Sequence, residues 1–309
     1  MDERDYQVVA PRRAMRVGAL VVNWNRRDDT LECIESLLGS TYPSLVVYVV
    51  DNGSTDGSCD AMTSAYPVVR LIRSERNLGF AEGNNLGLAA MLDDGIDLAF
   101  LVNNDVVVAH DAVEWLVAGI HGDTEVGVLA PKVVMYWQPD VIWSAGGMLD
   151  PNTGVSRQRH YGEEDVGQAE VPAEIDYAVG CAMLVRTEAI RAAGFLDPRY
   201  FMYYEEADWC RRIRHAGYKI MYMPLSRVWH KVSPEDAGRN DAPYYCSRNR
   251  LLFLNAGGVP AAKIAWIALS DLLRSAAAHA AKGRTHQSRL MLKALVDYYA
   301  GSFGKLDSG

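Results

Sequence analysis

Polar side chains follow three apolar segments of the chain, each long enough to form a buried strand. The three clusters are N-W-N at 23–25, D-N-G-S at 51–54 and N-N-D at 103–105. Because the carboxyl ends of parallel strands meet at one edge of a sheet, where open α/β folds bind ligands, the clusters could converge on one ligand. Turn chemistry also places Asn and Asp after strands, but it does not require a carboxylate at two of three strand ends. The pattern therefore favours a binding site.

A second group of polar residues follows an aromatic run in the segment F-M-Y-Y-E-E-A-D-W at 201–209. Its three carboxylates repel one another unless a cation or the positive end of a helix compensates them. One interpretation is a surface helix in which Asp208 pairs with the arginines three and four positions on, and we favour it for Asp208. For Glu205 and Glu206, the preceding aromatic residues favour a partly buried site.

One histidine, His230, follows a short strand-like segment at 219–223. A lone histidine most often has a structural hydrogen-bonding role. Together with a carboxylate, it is also a suitable ligand for Mn²⁺, and less so for Mg²⁺, which prefers oxygen donors. Both roles remain open from the residues alone.

The apolar pattern predicts the elements that position these residues. In the first half we expect buried strands and amphipathic helices in alternation, with strands at 17–23, 45–50, 68–73 and 97–102 and helices at 28–38 and 83–92, the first capped by Asp28 or Asp29. Such alternation indicates an α/β fold with a mainly parallel sheet flanked by helices. After residue 128 the pattern becomes irregular; there we expect a strand at 178–185 and a helix at 207–215 that ends at Gly217.

We expect three parts in the chain: a flexible tail at 1–14, an α/β domain at 15–240 and a helical region at 241–309. In the last part, apolar residues at 292, 295, 296 and 299 have helical spacing. From residue 260 onward seven Lys and Arg stand against three Asp, whereas the preceding residues hold 24 basic and 36 acidic residues. This asymmetry raises the hypothesis of an anionic membrane surface beneath the C-terminal helices. An ordinary helical face packed on an acidic domain is the alternative, and we slightly favour it.

The composition is that of a soluble globular protein, with 49% hydrophobic and 23% charged residues. The net charge of −8 argues against general binding of nucleic acid. The five cysteines are odd in number and show no C-x-x-C spacing, so we expect buried thiols in a reducing cytosol rather than disulfides or a zinc site. No apolar run approaches the roughly 20 residues that cross a bilayer. We therefore expect a cytoplasmic protein, with the inner face of the cell membrane as a further hypothesis.

The motifs form an ordered set along the chain: V-V-N-W-N at 21–25, V-D-N-G-S-T-D-G-S at 50–58, R-N-L-G-F-A-E-G-N-N-L-G at 76–87, L-V-N-N-D at 101–105, V-G-C-A-M-L-V-R at 179–186, the segment 194–218 with F-M-Y-Y-E-E-A-D-W at its centre, and W-H at 229–230. This set closely resembles the family 2 glycosyltransferases of GT-A fold, and among them the rhamnosyltransferase and galactofuranosyltransferase-like branch. The resemblance covers about 16–230 and is weaker at 244–255. It implies a Rossmann-like, mainly parallel sheet flanked by helices, with a helical C-terminal extension.

The resemblance also implies roles for individual residues. Asp51 matches the position that hydrogen-bonds the nucleobase of the sugar donor, Asp105 matches the last Asp of the D-x-D metal motif, and His230 matches a further metal ligand of some members. The segment 77–85 matches a loop that lines the donor site, although close helix packing is an alternative for its glycines. The implied donor-binding residues are Asn23, Asn25, Asp51, Asn77, Gly79, Asn85, Asn103 and Asn104.

On the acceptor side, Glu206 matches the catalytic base of the family and Glu205 the acidic residue before it. The base receives the proton of an acceptor hydroxyl as that hydroxyl attacks the anomeric carbon. We expect the helix N-terminus to keep this carboxylate ionised, which also weakens it as a base. Tyr204, Asp208 and Trp209 are expected to contact the acceptor.

One position departs from the family pattern, because Asn103 stands where the D-x-D motif has its first Asp. An amide oxygen can bind a metal or a ribose hydroxyl, but it adds no charge. With Asp105 as the only certain anionic ligand, we expect low affinity for Mn²⁺ or Mg²⁺ until diphosphate oxygens complete the coordination.

Together these features predict an inverting, metal-assisted glycosyltransferase. It would move a sugar from a nucleotide-diphosphate sugar, such as dTDP-rhamnose or a UDP-sugar, to a hydroxyl of a glycan or lipid-linked glycan in cell-wall or polysaccharide biosynthesis. A non-catalytic nucleotide-sugar or carbohydrate-binding protein is one alternative, but the intact Glu206 and Asp105 speak against it. A sugar nucleotidyltransferase is less favoured, since the segment 23–27 lacks the glycine-rich loop that such enzymes need after the first strand.

Overall fold

The computed structural model describes residues 14–231 and 241–306. The tail predicted at 1–14 therefore lies, apart from its last residue, outside the described residues. No helix in the described ranges is long and apolar enough to span a membrane.

The first half of the chain forms the parallel part of a central sheet. Strands and helices alternate there, as β1 (Val17–Asn23), α1 (Arg27–Leu38), β2 (Leu45–Asn52), α2 (Ser58–Ala65), β3 (Arg70–Ser74), α3 (Gly79–Asp93) and β4 (Leu98–Asn103). The strand order is β3–β2–β1–β4, and all three pairings are parallel. The register places Asn23 beside Asp51 and Val22 beside Asn103, so the three polar clusters end side by side.

The second half of the chain extends this sheet with mixed pairing. Its elements are β5 (Val106–Val108), α4 (Ala112–His121), β6 (Val126–Met135), β7 (Gln138–Ser144), β8 (Gly147–Leu149), β9 (Ser156–Gln158), β10 (Ala173–Glu174), β11 (Ala182–Arg186), α5 (Thr187–Ala193), α6 (Glu205–His215) and β12 (Lys219–His230). Strand β11 lies antiparallel between β4 and β6, while β12 runs parallel to β6 and antiparallel to β5. The α/β fold with helices around a central sheet is confirmed, and the parallel order holds for its first half.

The remaining described residues are mainly helical, as predicted. The helices are α7 (Ala242–Ala256), α8 (Ala261–Ile267), a π-helical turn (Ala268–Leu273), α9 (Arg274–Ala281) and α10 (Thr285–Ala300). The apolar residues predicted along the last helix divide between two faces, because α10 buries Leu295 but leaves Leu292, Val296 and Tyr299 exposed.

Several predicted boundaries differ from the structure. Helix α1 begins at Arg27, and neither Asp28 nor Asp29 caps it, since both lie in its first turn. The Asp56 carboxylate instead accepts a hydrogen bond from the Arg27 N–H at 3.1 Å. The segment after residue 128 is not irregular, because β6 is an almost fully buried strand of ten residues. Its pattern is hard to recognise because a strand buried on both faces loses the alternation of a half-buried one.

The sheet is covered on both faces, so successive strand residues enter different parts of the core. Leu20 and Leu101 pack in one buried cluster, whereas Val21 and Phe100 pack in the other. A sheet held rigidly on both faces fixes its strand ends, where the polar clusters lie. The five cysteines are unpaired; three are buried, Cys59 is half-buried and Cys246 is exposed, so the expectation of buried thiols holds for three.

Candidate active site

Asn23 holds the three strand ends together. Its amide nitrogen donates to Asp51 Oδ1 at 3.1 Å and to Ser54 Oγ at 3.0 Å. Its amide oxygen accepts hydrogen bonds from the Thr30 hydroxyl at 2.7 Å and from the Asn104 amide at 3.3 Å. The side chain is fully buried, and its amide is committed to protein partners. Asn23 and Asn104 therefore hold the other side chains of the site in place through this buried hydrogen-bond network.

Other side chains at this edge are less completely committed to protein partners than Asn23. Asp51 is 5% exposed and its carboxylate accepts from the Asn23 amide and, at 3.4 Å, from the Ser54 N–H. The half-buried Asn103 amide has no side-chain partner within the described ranges. Asn25 lies in an exposed turn with φ of +52° and accepts the Thr55 N–H at 2.7 Å. A donor can thus meet a carboxylate, an amide and a turn at one edge of the sheet.

Asp105 and His230 meet because β12 pairs with β5. The register sets His230 opposite Val106, and the imidazole Nε2 lies 3.2 Å from Asp105 Oδ1. The Trp143 ring packs edge-on against the imidazole at 4.8 Å between centroids. Burial alone would lower the pKa of His230, but the neighbouring Cys181 and the Asp105 carboxylate outweigh it and raise the pKa to about 10. The pair is a preformed contact between an acid and an imidazole.

The same pair fits the donor set of a divalent metal. Ligands about 2.1 Å from one ion and at right angles to each other lie about 3 Å apart, close to the 3.2 Å observed. Carboxylate oxygen with imidazole nitrogen suits Mn²⁺ better than Mg²⁺. The described residues contain no group of three or more His, Cys, Asp or Glu that could hold a metal. A metal here would need further ligands from a bound molecule or water.

Lys231, which was not predicted from the sequence, connects the region of Asp105 and His230 to helix α1. Its ammonium binds Asp29 at 2.9 Å and Glu32 at 2.6 Å, and its N–H donates to the Asp105 carbonyl at 2.9 Å. The hydrogen bond from Lys231 lowers the pKa of Glu32. The signal in the sequence is an acidic pair three positions apart on α1, and Arg26 also pairs with Asp29, at 3.2 Å.

Glu205 and Glu206 open helix α6 after a loop in an unusual conformation. Phe201, Tyr203 and Tyr204 have φ values of +64°, +66° and +74°, which non-glycine residues adopt only when their surroundings require it. Glu205 is 4% exposed and Glu206 is half-buried. Each keeps one carboxylate oxygen buried without a hydrogen-bond partner within the described ranges. An unpartnered carboxylate oxygen in this position can receive a proton.

Burial has the largest effect on the pKa of these two acids. It raises the pKa of Glu205 well above its usual range, with the neighbouring Glu206 adding to the effect. Burial also raises the pKa of Glu206, although backbone N–H groups at the helix start act in the opposite direction. The expectation that the helix N-terminus makes Glu206 a weaker base was therefore wrong, because burial has the larger effect on its pKa. A glutamate with a raised pKa is a better proton acceptor near neutral pH.

Two of the three residues expected to contact the acceptor have structural roles instead. Asp208 is 2% exposed and pairs with Arg211 and, at 2.8 Å, with Arg212. Trp209 is fully buried, and its indole N–H donates to a backbone carbonyl at 2.7 Å. The acceptor role predicted for both residues was wrong, because neither side chain reaches the surface. Tyr204 is half-buried, and its acceptor contact stays a prediction.

The predicted donor loop at 77–85 uses its polar groups within the protein. The Asn77 amide oxygen accepts the Gly79 N–H at 2.8 Å. The Asn85 amide donates to the Leu196 carbonyl at 2.8 Å and accepts the Leu196 N–H at 3.0 Å. Asn77 and Asn85 therefore position the loop, and any contact with a donor stays a prediction.

Gly79 makes the close approach expected of it, but with the protein. It has φ of +83°, and a Cβ there would lie 2.4 Å from the Phe201 ring and 2.6 Å from the Phe201 carbonyl. That carbonyl accepts hydrogen bonds from the N–H groups of Phe80, at 2.7 Å, and Ala81, at 3.3 Å. The start of α3 is thus joined to the loop that carries Glu206.

One further residue, Gly180, lies next to Glu206 and was not selected from the sequence. A Cβ on Gly180 would lie 3.3 Å from the Phe80 ring and 3.8 Å from the Glu206 Cβ. A side chain at position 180 would therefore fill space next to the carboxylate. The motif V-G-C-A at 179–182 precedes β11, and this glycine is the signal that could have indicated an open approach.

Comparison with known proteins agrees with this geometry. A family model described as "Glycosyl transferase family 2" matches residues 19–194. Over 248 residues the chain is 29% identical to the N-acetylglucosaminyl-diphospho-decaprenol L-rhamnosyltransferase of Mycobacterium tuberculosis, which covers 72% of this chain and 77% of that protein. Over 253 residues it is 22% identical to the dTDP-rhamnosyl transferase RfbF of Shigella flexneri, covering 79% and 81% of the two chains.

Solved structures share the fold. The crystal structure of GalNAc-T7 with UDP, GalNAc and Mn²⁺ has a TM-score of 0.63 at 15% identity and covers 79% of this chain and 48% of that one. The mannosyltransferase PcManGT from Pyrobaculum calidifontis, in complex with GDP-Man and Mn²⁺, has a TM-score of 0.57 at 15% identity and covers 94% and 88%. At these identities the likeness establishes the GT-A fold alone.

Proposed function

Since the chain belongs to glycosyl transferase family 2 and is a glycosyltransferase, we propose that it transfers a sugar with inversion from a nucleotide-diphosphate sugar, with the help of a divalent metal. The acceptor is a hydroxyl of a glycan or of a lipid-linked glycan in cell-wall or polysaccharide biosynthesis. Two relatives are named rhamnosyltransferases, which favours dTDP-rhamnose as the donor. The observation that carries the proposal is Glu206, a carboxylate with a raised pKa and a buried, unpartnered oxygen at the start of α6.

The donor nucleotide would bind at the carboxyl edge of the parallel strands. Asp51 is held by Asn23 and has acceptor capacity left for an N–H group of a pyrimidine base. Asn103 would contribute an amide to the ribose or the diphosphate. The buried network around Asn23 keeps these groups in place before the donor arrives, so little conformational freedom is lost on binding.

Asp105 and His230 would hold the divalent metal. A bound metal would act as a Lewis acid that neutralises the diphosphate leaving group. The imidazole must be neutral to serve as a ligand, so a proton on Nε2 would have to leave before a metal could bind there. Asn103 adds no charge, and diphosphate oxygens would complete the site. We therefore expect metal and nucleotide to bind more tightly together than separately.

Glu206 would take the proton of the acceptor hydroxyl. As the hydroxyl oxygen forms its bond to the anomeric carbon, the bond to the diphosphate breaks, and the configuration inverts. Glu205 is more deeply buried, and repulsion from Glu206 adds to the rise of its pKa. Burial keeps water away from this carboxylate, which strengthens its interaction with the hydroxyl proton.

The proposed base is tested with Glu206→Gln, which keeps size but removes the proton acceptor. The control is Glu188→Gln, the same change on the exposed surface of α5. Release of nucleoside diphosphate in the presence of acceptor should fall by about 100-fold or more in Glu206→Gln and stay unchanged in the control. Thermal stabilisation by UDP-, dTDP- and GDP-sugars, with and without Mn²⁺, should be alike in both. Turnover at the wild-type rate in Glu206→Gln would show that another group is the base.

We also propose that α10 contacts the cytoplasmic face of a membrane, where a lipid-linked acceptor would lie. Leu292, Val296 and Tyr299 are exposed on one side of this helix, with the exposed basic residues Arg289 and Lys293 beside them. Sedimentation with vesicles of mixed phosphatidylcholine and phosphatidylglycerol tests the contact. Val296→Asp should reduce binding several-fold, and equal binding of variant and wild type would contradict the proposal.

A further inference from the structure

The loop that leads into α6 is held from the C-terminal side of the chain. Residues 199–204 contain three non-glycine residues with left-handed φ, a conformation that does not persist without external support. The Tyr200 and Phe201 N–H groups donate to the carbonyls of Asp197 and Pro198, just before the loop. Inside the loop, the Met202 N–H donates to the Tyr200 carbonyl at 2.8 Å. The carbonyls of residues 199, 200, 202 and 203 have side-chain partners on α7.

Asn249 is the first of two partners. Its buried amide nitrogen lies 2.9 Å from the Tyr200 carbonyl and 2.8 Å from the carbonyls of Met202 and Tyr203. One amide thus bridges three carbonyls that a loop of ordinary conformation would not bring together. Its own oxygen accepts a hydrogen bond from Arg248 Nε at 3.0 Å, which fixes the direction in which the amide points.

Arg248 is the second partner and is also fully buried. Its guanidinium donates to the Arg199 carbonyl at 3.2 Å, the Tyr200 carbonyl at 3.1 Å and the Gly304 carbonyl at 2.8 Å. Rings of Tyr244, Tyr245 and Phe303 surround it at 5.0–5.8 Å from the guanidinium carbon. A buried guanidinium bound mainly to carbonyls is uncommon, because a carboxylate partner would compensate its charge more fully. Here the positive charge of Arg248 is stabilised by backbone carbonyls, and it draws them together around the guanidinium.

Backbone groups of Gly304 and Leu306 add a third set of hydrogen bonds around the loop. The Gly304 N–H donates to the Arg199 carbonyl at 2.9 Å while its carbonyl accepts from Arg248. The Leu306 N–H donates to the Tyr245 hydroxyl at 2.9 Å. Helix α7 and residues 303–306 therefore enclose the loop from the side opposite to the sheet.

The loop is also the junction between the donor side and the base. On one side the Phe201 carbonyl receives the N–H groups at the start of α3. On the other side the loop ends at Glu205 and Glu206. A displacement of the loop would move the carboxylate relative to the donor site, while the buried network at Asn23 would stay intact.

We propose that Arg248 and Asn249 are positioning residues for Glu206: they hold the 199–204 loop in the conformation that aims the carboxylate at the acceptor hydroxyl. The inference rests on the proposed function, because it takes Glu206 as the base. It assigns a catalytic task to the region after residue 240, outside the segment matched by the family model. Both side chains are fully buried, so we expect their effect on turnover to pass through the loop.

The test compares Asn249→Ala with Asn255→Ala. Both asparagines lie on α7, but Asn255 is exposed, so the control removes the same amide without touching the loop. Arg248→Lys is a third variant that keeps the charge and loses the forked donor. For each protein, kcat, acceptor KM and the affinity for the best-binding nucleotide among UDP, dTDP and GDP with Mn²⁺ are measured. Hydrogen exchange of the peptide covering 199–206 is measured alongside.

In Asn249→Ala we expect kcat to fall by about 10- to 100-fold, since a misplacement of about 1 Å has effects of that size. Nucleotide affinity should stay within about threefold of the wild type. Hydrogen exchange should rise at 199–206 and stay unchanged in the β1–β2 region. A global loss of stability would instead raise exchange in both regions. Arg248→Lys should show a smaller fall in the same direction, and Asn255→Ala should match the wild type.

A wild-type kcat in Asn249→Ala would overturn the inference. So would a fall in kcat that is matched by an equal fall in nucleotide affinity, because that result indicates a general structural role. Failure of the proposed function looks different: Glu206→Gln would then turn over normally, and the positioning of a base would be refuted together with the base itself. Unchanged exchange at 199–206 overturns the inference without any measurement of turnover.

Discussion

Replacing Gly79 by alanine tests the contact between the start of α3 and the loop that carries Glu206. Two penalties are expected. Gly79 has φ of +83°, and a left-handed conformation is unfavourable for alanine by about 1–2 kcal/mol. The new Cβ would also lie 2.4 Å from the Phe201 ring and 2.6 Å from its carbonyl, and such overpacking destabilises by about 1–3 kcal/mol.

Gly57 offers a control that separates these penalties. Its φ is +80°, close to that of Gly79, but a Cβ on Gly57 would meet no other part of the described chain within 4 Å. Gly57→Ala should therefore lose only the conformational part, about 1–2 kcal/mol. Gly79→Ala should lose about 2–5 kcal/mol in total. The difference between the two variants measures the collision with Phe201.

The free energy of unfolding is obtained from urea titrations followed by circular dichroism, with the slope checked for constancy. Transfer activity is measured in the same preparations, because a shifted Phe201 would move Glu206. In Gly79→Ala with Phe201→Ala, part of the loss should return, and only part, since the Phe201 carbonyl still obstructs the Cβ. Equal destabilisation of Gly57→Ala and Gly79→Ala, with normal activity in both, would refute the close contact.

Three other predictions concern the site and its surroundings. Because the base must be ionised and burial raises the pKa of Glu206, kcat/KM should fall on acidification at a higher pH than for an ordinary glutamate; a pH–rate profile without that limb contradicts the assignment. His230→Ala should raise the Mn²⁺ concentration needed for half-maximal activity by at least about tenfold, measured by metal titration at saturating donor, while Asp105→Asn should do so more strongly because it also removes charge. Burial raises the pKa of Asp165, but the hydrogen bond and charge of the buried Lys132, the Gly167 N–H and the charge of Arg227 together outweigh burial and lower that pKa. The contribution of Asp165 to stability is therefore present at neutral pH and lost as the pH falls through the lowered pKa. Asp165→Asn should reduce the free energy of unfolding by about 1–3 kcal/mol at neutral pH and by less in acid, as urea midpoints at both pH values would show.

The parallel half of the fold could be predicted because its strands are continuous apolar runs that end abruptly at polar residues. Asn23, Asp51 and Asn103 stand out for that reason, and the register brings them together. Which of them has a structural role and which remains available to a ligand could not be predicted. Only the structure shows that the Asn23 amide is committed to Asp51 and Thr30, whereas Asn103 has no such partner in the described part of the chain.

The direction of the pKa shifts at Glu205 and Glu206 could not be predicted from the sequence for a related reason. A helix N-terminus is visible in the sequence and favours an ionised carboxylate by about 0.3–1 kcal/mol. Burial is not visible there, since it depends on which segments pack over the helix start. At Glu205 the burial is almost complete, and removing a charge from water outweighs a helix dipole.

The pair of Asp105 and His230 shows how the mixed half of the sheet brings distant residues together. The two residues are 125 positions apart in the chain and meet because the end of β12, while still paired in parallel with β6, pairs antiparallel with β5 on its other edge. Lys231, the next residue, then anchors this end of β12 to α1. A protein-only site with two ligands binds a metal weakly, so occupancy should follow the diphosphate that supplies the missing oxygens. A metal held by Asp105 and His230 would then be bound most strongly while the diphosphate is in place, and more weakly after the nucleoside diphosphate has left.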